Sequence, residues 1–157
     1  MTERPELHVK IGEIKIGRSP ELLKATLGSC VGIAFSWKKK GLFGLAHCLL
    51  PSAPGKCTEL GAKYVDQAIQ SLLIMMKVSP ADYDQLEVHL AGGGNMMKQL
   101  VVRNSHHVGL QNVDAARKML DGLGLKIKAA DTQGDAARQI IVDCASGGVE
   151  FKKIRLE

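Results

Sequence analysis

The sequence predicts an α+β fold, a layered sandwich of mixed, mainly antiparallel β-sheet with two or three helices. Three observations support this prediction. Strand-like runs clearly outnumber helical ones, most neighbouring runs are joined by short hairpin-like turns, and two segments carry the apolar spacing of helices that pack on a sheet. The length of 157 residues fits one domain with a sizeable core, so we expect a single domain over residues 1–157.

Runs of residues typical of β-strands occur near both ends of the sequence and between them. Apolar and polar residues alternate from Leu7 to Ile16, and Gly12 shifts the phase as a β-bulge does. Two apolar runs, Val31 to Trp37 and Leu42 to Leu50, flank the turn-like segment Lys38 to Gly41 and predict a hairpin. The remaining strand-like runs cover residues 86–91, 125–130, 139–144 and 149–154.

Two segments carry helical periodicity. The first has apolar residues in register from Val65 to Met76, with Thr58 as its candidate N-cap and Ser79–Pro80 as its end. The second runs from Val113 to Leu120, with Asn112 as its cap. Because one face of each helix is apolar, we expect both to pack on the sheet.

The composition argues against nucleic-acid partners and membrane insertion. The chain has 21 basic and 16 acidic residues, a formal charge of +5, and lysines cluster at residues 38–40. Aromatic residues make up only 4% of the chain, too few for the stacking platforms of nucleic-acid readers, so we interpret the lysine run as a solvated loop. The longest strongly apolar stretch, residues 72–76, is far shorter than the roughly 20 residues that cross a bilayer.

The cysteines indicate a reducing compartment. Cys30, Cys48, Cys57 and Cys144 form no C-x-x-C pair, and the first residues of the chain lack the apolar core of a signal peptide. We therefore expect a cytoplasmic protein whose thiols are free.

Cys30 and His47 are the strongest candidates for chemistry. They lie on the two sides of the predicted hairpin, and a loop over residues 37–40 places them directly opposite each other. Side chains opposite each other stand about 4.5–5.5 Å apart at Cβ, so the imidazole can take the thiol proton and leave a thiolate near neutral pH. Backbone N–H groups around Gly28 and Ser29 are candidates for an oxyanion hole. A packed cysteine beside a core histidine is the alternative.

Several segments resemble the CheD family of chemoreceptor glutamine deamidases. The family's Leu-Gly-Ser-Cys-Val segment matches residues 27–31, its His-x-x-Leu-Pro segment matches residues 47–51, and its Lys/Arg-Tyr-x-Asp-x-Ala-Ile helix matches residues 63–69. The Gly-Gly-Gly-Asn-Met-Met run at residues 92–97 and the Asn-Val-Asp-Ala run at residues 112–115 resemble its later motifs. The resemblance covers most of the chain.

Some positions depart from the family pattern. Gln111 stands where the family commonly has arginine, and the family's Gly-Gly-Asn-x-Gly-Arg loop is present only in altered form at residues 133–138. The third catalytic residue of the family is a threonine in the strand before the cysteine, sometimes at the position that holds Lys24 here. Thr26 is the candidate in this chain, so the resemblance implies a catalytic set of Cys30, His47 and Thr26.

The resemblance implies a protein-glutamine glutaminase of bacterial chemotaxis. Such an amidohydrolase converts glutamine side chains of a chemoreceptor (a methyl-accepting chemotaxis protein) to glutamate and ammonia through a cysteine thioester, with no metal or organic cofactor. The implied partners are the cytoplasmic helices of the receptor and a CheC-like phosphatase. Three alternatives stay open: a cysteine protease, a glutaminase acting on free glutamine, and a catalytically weak adaptor that binds and regulates the phosphatase.

Histidine and cysteine spacing does not support a metal site. Zinc ligands usually come in close pairs such as C-x₂-C or H-x₃-H, and His89, His106 and His107 form no such pattern with the cysteines. The adjacent pair at 106–107 would point to opposite sides of an extended segment. We therefore expect no metal, and we expect structural roles for Cys57 and Cys144.

Overall fold

Two β-sheets and two α-helices make up the part of the chain that the computed structural model describes, residues 3–96 and 107–154. The strands are β1 (Glu6–His8), β2 (Ile14–Gly17), β3 (Leu22–Leu27), β4 (Val31–Trp37), β5 (Leu42–Cys48), β6 (Glu87–Gly92), β7 (Ile127–Thr132), β8 (Ala137–Asp143) and β9 (Val149–Ile154). The α-helices are α1 (Val65–Met75) and α2 (Val108–Gly122), and 3₁₀ turns cover Lys38–Lys40 and Pro80–Gln85.

The strands form one four-stranded and one five-stranded sheet. The four-stranded sheet has the order β1-β3-β8-β9, and the five-stranded sheet has the order β2-β5-β4-β6-β7. Strands β1 and β3 pair in parallel, as do β6 and β7, whereas the other neighbours are antiparallel. The predicted class, a layered α+β fold with mixed and mainly antiparallel sheet, is confirmed.

The five-stranded sheet is the middle layer. Every residue of β4 and β5 is buried, because one face of this sheet packs on the four-stranded sheet and the other packs on the helices. One apolar cluster fills the space between the sheets, and a second fills the space under α1 and α2. Successive residues of a central strand therefore enter different layers, which decides which side chains share a site.

Two predicted elements differ in their details. The chain from 7 to 16 is not one bulged strand, because a turn with Gly12 at φ 84° separates β1 from β2 and sends them into different sheets. Helix α1 is capped by Tyr64 and not by Thr58. The residues before α1 are tied to the end of β5 in extended form, and Leu50 forms a parallel bridge with Tyr64, so the helix cannot begin earlier.

Helix α2 begins at Val108, before its predicted start at Val113. His107 is the N-cap, and its Nδ1 accepts a hydrogen bond from the N–H of Leu110 at 3.1 Å. Asn112, predicted to cap the helix, lies inside it and is fully buried. Gly109 weakens the helical signal of this first turn in the sequence, since glycine is a poor helix former.

None of the helices within the described residues is long and apolar enough to cross a membrane. Helix α1 has 11 residues and α2 has 15, and each buries one face against the sheet.

A glycine turn at the end of β6, residues 92–94, packs against α2, and this contact gives a stability prediction. A Cβ at Gly109 would lie 2.5 Å from the carbonyl oxygen of Gly94, so Gly109→Ala should lower the free energy of unfolding by about 1–3 kcal/mol. Gly122 is the matched control at the other end of α2, because a Cβ there meets no heavy atom within 4 Å. Gly122→Ala should leave stability unchanged or raise it by up to about 1 kcal/mol. Urea unfolding measures both, and equal effects would contradict this packing.

Candidate active site

The pairing of β4 with β5 is shifted by two residues from the predicted register. His47 lies opposite Gly32, and not opposite Cys30. The connection explains the shift, since Lys38–Lys40 form a 3₁₀ turn that Gly41 closes in the left-handed conformation at φ 63°. Trp37 pairs with Leu42, so the four loop residues are 38–41 and not 37–40 as predicted.

Cys30 and His47 nevertheless share one face of the sheet, because side-chain direction in a strand repeats every two residues. Gly32 lies opposite His47, and a Cβ at Gly32 would contact the side chain of Leu27 in the layer between the sheets. Cys30 is buried in the same layer. Cys48 packs in the other layer, under the helices. Cys30 and His47 are therefore diagonal neighbours, a spacing of about 7–8 Å or less at Cβ that a long side chain can bridge.

The ring of His47 has one bonded and one free nitrogen. Nδ1 lies 2.8 Å from the carbonyl oxygen of Val9, and a carbonyl only accepts hydrogen bonds, so Nδ1 carries the proton in the neutral ring. Nε2 is buried and has no hydrogen-bond partner among residues 3–96 and 107–154. The lone pair of Nε2 is therefore available to accept a proton from a neighbouring group.

The segment around Val9 holds His47 through both ring and backbone. The N–H of Val9 donates to the carbonyl of Lys24 on β3 at 2.7 Å, while the Val9 carbonyl accepts from the ring. The N–H of Gly12 donates to the His47 carbonyl at 2.8 Å, and the His47 N–H donates to the backbone carbonyl of Glu13 at 3.0 Å. The turn between β1 and β2 thus fixes the position and the tautomer of the histidine.

Thr26 lies on the opposite side of the four-stranded sheet. Its neighbours Ala25 and Leu27 are buried between the sheets, and Thr26 is exposed on the outer face of β3. Neither ring nitrogen of His47 bonds to its hydroxyl, because Nδ1 bonds to Val9 and Nε2 is unpaired. In the structure the hydrogen-bond partner of the ring is therefore a backbone carbonyl, and not the hydroxyl of the threonine implied by the resemblance. Lys24, at the other position where the family can have its threonine, forms an ion pair with Glu6 at 2.9 Å.

The backbone segment before β4 is held in one orientation by hydrogen bonds to its carbonyls. Three hydrogen bonds hold its carbonyls: Gly94 N–H donates to Gly28 at 2.9 Å, Gly93 N–H donates to Cys30 at 2.9 Å, and Asn112 Nδ2 donates to Ser29 at 3.1 Å. In a trans peptide the N–H points away from the carbonyl of the same unit. Fixing the carbonyls of Gly28 and Ser29 therefore fixes the N–H groups of Ser29 and Cys30, which form no backbone hydrogen bond within the described residues.

The glycine turn after β6 has to approach the nucleophile closely. Gly92 has φ 101°, Gly93 has φ 71°, and a Cβ at Gly92 would collide with the carbonyl oxygen of Cys30. Glycine is the residue that allows both this conformation and this approach. The turn occupies part of the segment that resembles a family motif, whose last residue, Met97, lies outside the described residues.

Arg138, at the start of β8, holds the loop that lies beside this turn. Its side chain is 2% exposed, pairs with Asp131 at 3.1 Å and donates to the carbonyls of Gln133 and Ala136. The same loop accepts a hydrogen bond from the N–H of Asn95 through Gly134 at 2.7 Å. The altered segment 133–138 thus still packs beside the candidate site.

Burial moves the pKa values of both candidate catalytic groups. Desolvation raises the pKa of the Cys30 thiol, and this is only partly offset by its own backbone N–H. Desolvation also lowers the pKa of His47, against the opposing effects of Val9 and Glu13. Both directions favour a neutral thiol beside a neutral imidazole, whereas the sequence suggested a resting thiolate. The thiol proton is therefore expected to move during the attack on substrate.

The remaining described histidines have other surroundings. His89 is buried near Phe151, with ring centroids 6.2 Å apart, and His107 caps α2. His106 lies outside the described residues. In the described part of the chain, no three His, Cys, Asp or Glu side chains gather where a metal ion would bind. Burial raises the pKa of Cys144 to about 11.

Sequence reasoning missed Val9 and gave Asn112 and Arg138 other roles. Val9 acts through its backbone carbonyl, a group that every residue has, so its residue type does not indicate this role. The role of Asn112 follows from its full burial inside α2, which only the structure shows, because a buried asparagine needs hydrogen-bond partners.

Comparison with known proteins identifies the family. The family model described as CheD chemotactic sensory transduction matches residues 49–153, more than half of the chain. A probable chemoreceptor glutamine deamidase CheD 2 of Ruegeria sp. (strain TM1040) is 38% identical, covering 97% of this chain and 94% of that protein. A probable chemoreceptor glutamine deamidase CheD of Bdellovibrio bacteriovorus is 40% identical, covering 95% of each chain.

A further relative is the chemoreceptor glutamine deamidase CheD of Thermotoga maritima, which is 31% identical and is matched over 93% of this chain and 90% of its own. The family model begins after Cys30 and His47, whereas the alignment with the Ruegeria protein spans 97% of the chain and so includes the β4–β5 hairpin. The chain belongs to the CheD family.

Proposed function

We propose that this protein hydrolyses glutamine side-chain amides in chemoreceptors, with Cys30 as nucleophile and His47 as general base. The observation that carries the proposal is the unpaired, buried Nε2 of His47 on the face that it shares with Cys30. The names of the relatives support the substrate, since they are called chemoreceptor glutamine deamidases.

The first half of the reaction forms a thioester. Nε2 of His47 takes the thiol proton as Cys30 Sγ bonds to the amide carbon, and the carbonyl electron pair moves onto oxygen. The N–H groups of Ser29 and Cys30 hold the resulting oxyanion, in the role predicted for Gly28 and Ser29. When the intermediate collapses, the C–N bond breaks and the imidazolium gives its proton to the leaving nitrogen. Ammonia departs and the acyl group stays on Cys30.

The second half restores the enzyme. His47 Nε2 takes a proton from water as the water oxygen attacks the thioester carbon, and the same N–H groups hold the second oxyanion. The C–S bond then breaks, the imidazolium returns its proton to Cys30 Sγ, and glutamate is released. Nδ1 stays bonded to Val9 throughout, so the ring keeps one orientation while Nε2 gains and loses its proton.

The proposed setting is the cytoplasm, with the cytoplasmic helices of a receptor as substrate. The free state of all four cysteines agrees with a reducing compartment. A catalytically weak adaptor for a CheC-like phosphatase is the competing function. An adaptor would not need the free Nε2 or the N–H groups around Cys30, and this favours the enzyme.

Substitution of Cys30 and of His47 tests the proposed function directly. Cys30→Ala and His47→Ala should each reduce deamidation by about a thousandfold or more, because the reaction needs both nucleophile and base. Cys48→Ser should keep most of the activity, since Cys48 packs under the helices on the opposite face. Peptide mass spectrometry of a receptor cytoplasmic fragment measures the products, because each deamidation adds about one mass unit and marks its own site.

Unchanged deamidation in Cys30→Ala would contradict the mechanism. Wild-type protein that leaves the receptor unchanged but binds a CheC-like phosphatase would favour the adaptor. Free glutamine and an unstructured glutamine peptide, offered in the same assay, separate a general glutaminase and a protease from a receptor deamidase.

Thr26 gives a second prediction. Because its side chain is exposed on the outer face of β3, Thr26→Val should keep the deamidation rate within about twofold of wild type. Steady-state kinetics on the receptor fragment checks this. A fall of tenfold or more, rescued by Thr26→Ser, would return the orienting role to the threonine hydroxyl.

A further inference from the structure

Asn112 connects the two segments that carry the proposed catalytic groups. It lies on α2 with none of its side chain exposed, and its Nδ2 is 3.1 Å from the carbonyl oxygen of Ser29 and 3.1 Å from that of Leu49. Ser29 precedes Cys30, and Leu49 follows His47 by two residues. A single amide group therefore joins the nucleophile segment to the end of the histidine strand.

The chemistry of the contacts fixes which way the amide faces. Both neighbours are carbonyl oxygens, which only accept, so the NH₂ group must face them. The oxygen Oδ1 is then buried with no hydrogen-bond partner in the described part of the chain. An unpaired buried acceptor costs stability, but the NH₂ group satisfies two carbonyls that an apolar side chain would leave without this donor. The amide therefore holds both segments in place at the cost of one unpaired oxygen.

The bond to Ser29 sets the direction of the next N–H. The Ser29 carbonyl and the Cys30 N–H belong to one trans peptide unit and point in opposite directions. Holding the carbonyl towards α2 turns the N–H away from the helix, and that N–H does lie against its own thiol, where it lowers the pKa of Cys30. The oxyanion oxygen is two bonds from the sulfur, so this N–H is a candidate donor to it.

We propose that Asn112 is a positioning residue that holds the Cys30 N–H as an oxyanion donor by clamping the Ser29 carbonyl. This role rests on the proposed amide hydrolysis. It predicts an effect on the step that builds an oxyanion, and little effect on a reaction of the same thiol that builds none.

Two reactions of Cys30 separate these effects. Hydrolysis of receptor glutamine passes through an oxyanion, whereas alkylation by iodoacetamide is a direct displacement at carbon that has none. Asn112→Leu keeps the approximate volume and removes both donors, so kcat for deamidation should fall by about 10- to 100-fold with KM within about twofold. Alkylation of Cys30, followed by peptide mapping, should change by less than about threefold. Asn112→Asp, which places a carboxylate against two carbonyls, should lower kcat at least as much.

Ala116→Gly is the matched control, because Ala116 is buried one turn further along α2 and the substitution weakens the helix without touching Ser29. Its kcat should stay within about twofold of wild type. A kcat for Asn112→Leu equal to wild type would overturn the positioning role, and so would equal falls in hydrolysis and alkylation. Wild-type protein no faster than Cys30→Ala would overturn the proposed function itself, and this role with it.

Discussion

The hydrogen bond from His47 Nδ1 to the carbonyl of Val9 is the contact on which the site depends. It joins the two sheets, because the Val9 N–H is bonded to β3 of the four-stranded sheet while His47 belongs to β5 of the five-stranded sheet. It also decides the tautomer, and so leaves Nε2 free to act as a base. A backbone carbonyl in a turn tied at both ends moves little, which makes it a rigid orienting group.

Burial gives this contact its chemical effect. His47 is 4% exposed and Cys30 is 7% exposed, so the low pKa of the imidazole keeps the base neutral and the raised pKa of the thiol keeps its proton in place. The same dry environment strengthens the interaction of an oxyanion with the N–H groups before β4. The three layers of the fold thus shield the site. Hydrogen bonds from Asn112 on α2 and from the glycine turn hold the backbone around Cys30.

The sequence predicted the fold class and the shared face of Cys30 and His47. A register error of two residues leaves each side chain on the same face of its strand, so the second prediction did not depend on the exact register. It did not predict the register, since the run of lysines does not show whether the four-residue loop begins at Trp37 or at Lys38. The resemblance alone indicated Thr26, and the alternation of side chains along β3 places it on the exposed outer face of the four-stranded sheet. The roles of backbone carbonyls and of Asn112 depend on contacts between distant segments, which no local pattern encodes.

The protonation of His47 is the most direct test of this account. Long-range ¹H–¹⁵N correlation spectra of labelled protein distinguish the two neutral tautomers from the imidazolium. At pH 7 the ring should be neutral with its proton on Nδ1, and it should become protonated only as the pH falls below about 6.5, since burial lowers the pKa of His47. A ring protonated on Nε2, or an imidazolium paired with a Cys30 thiolate at pH 7, would contradict the account.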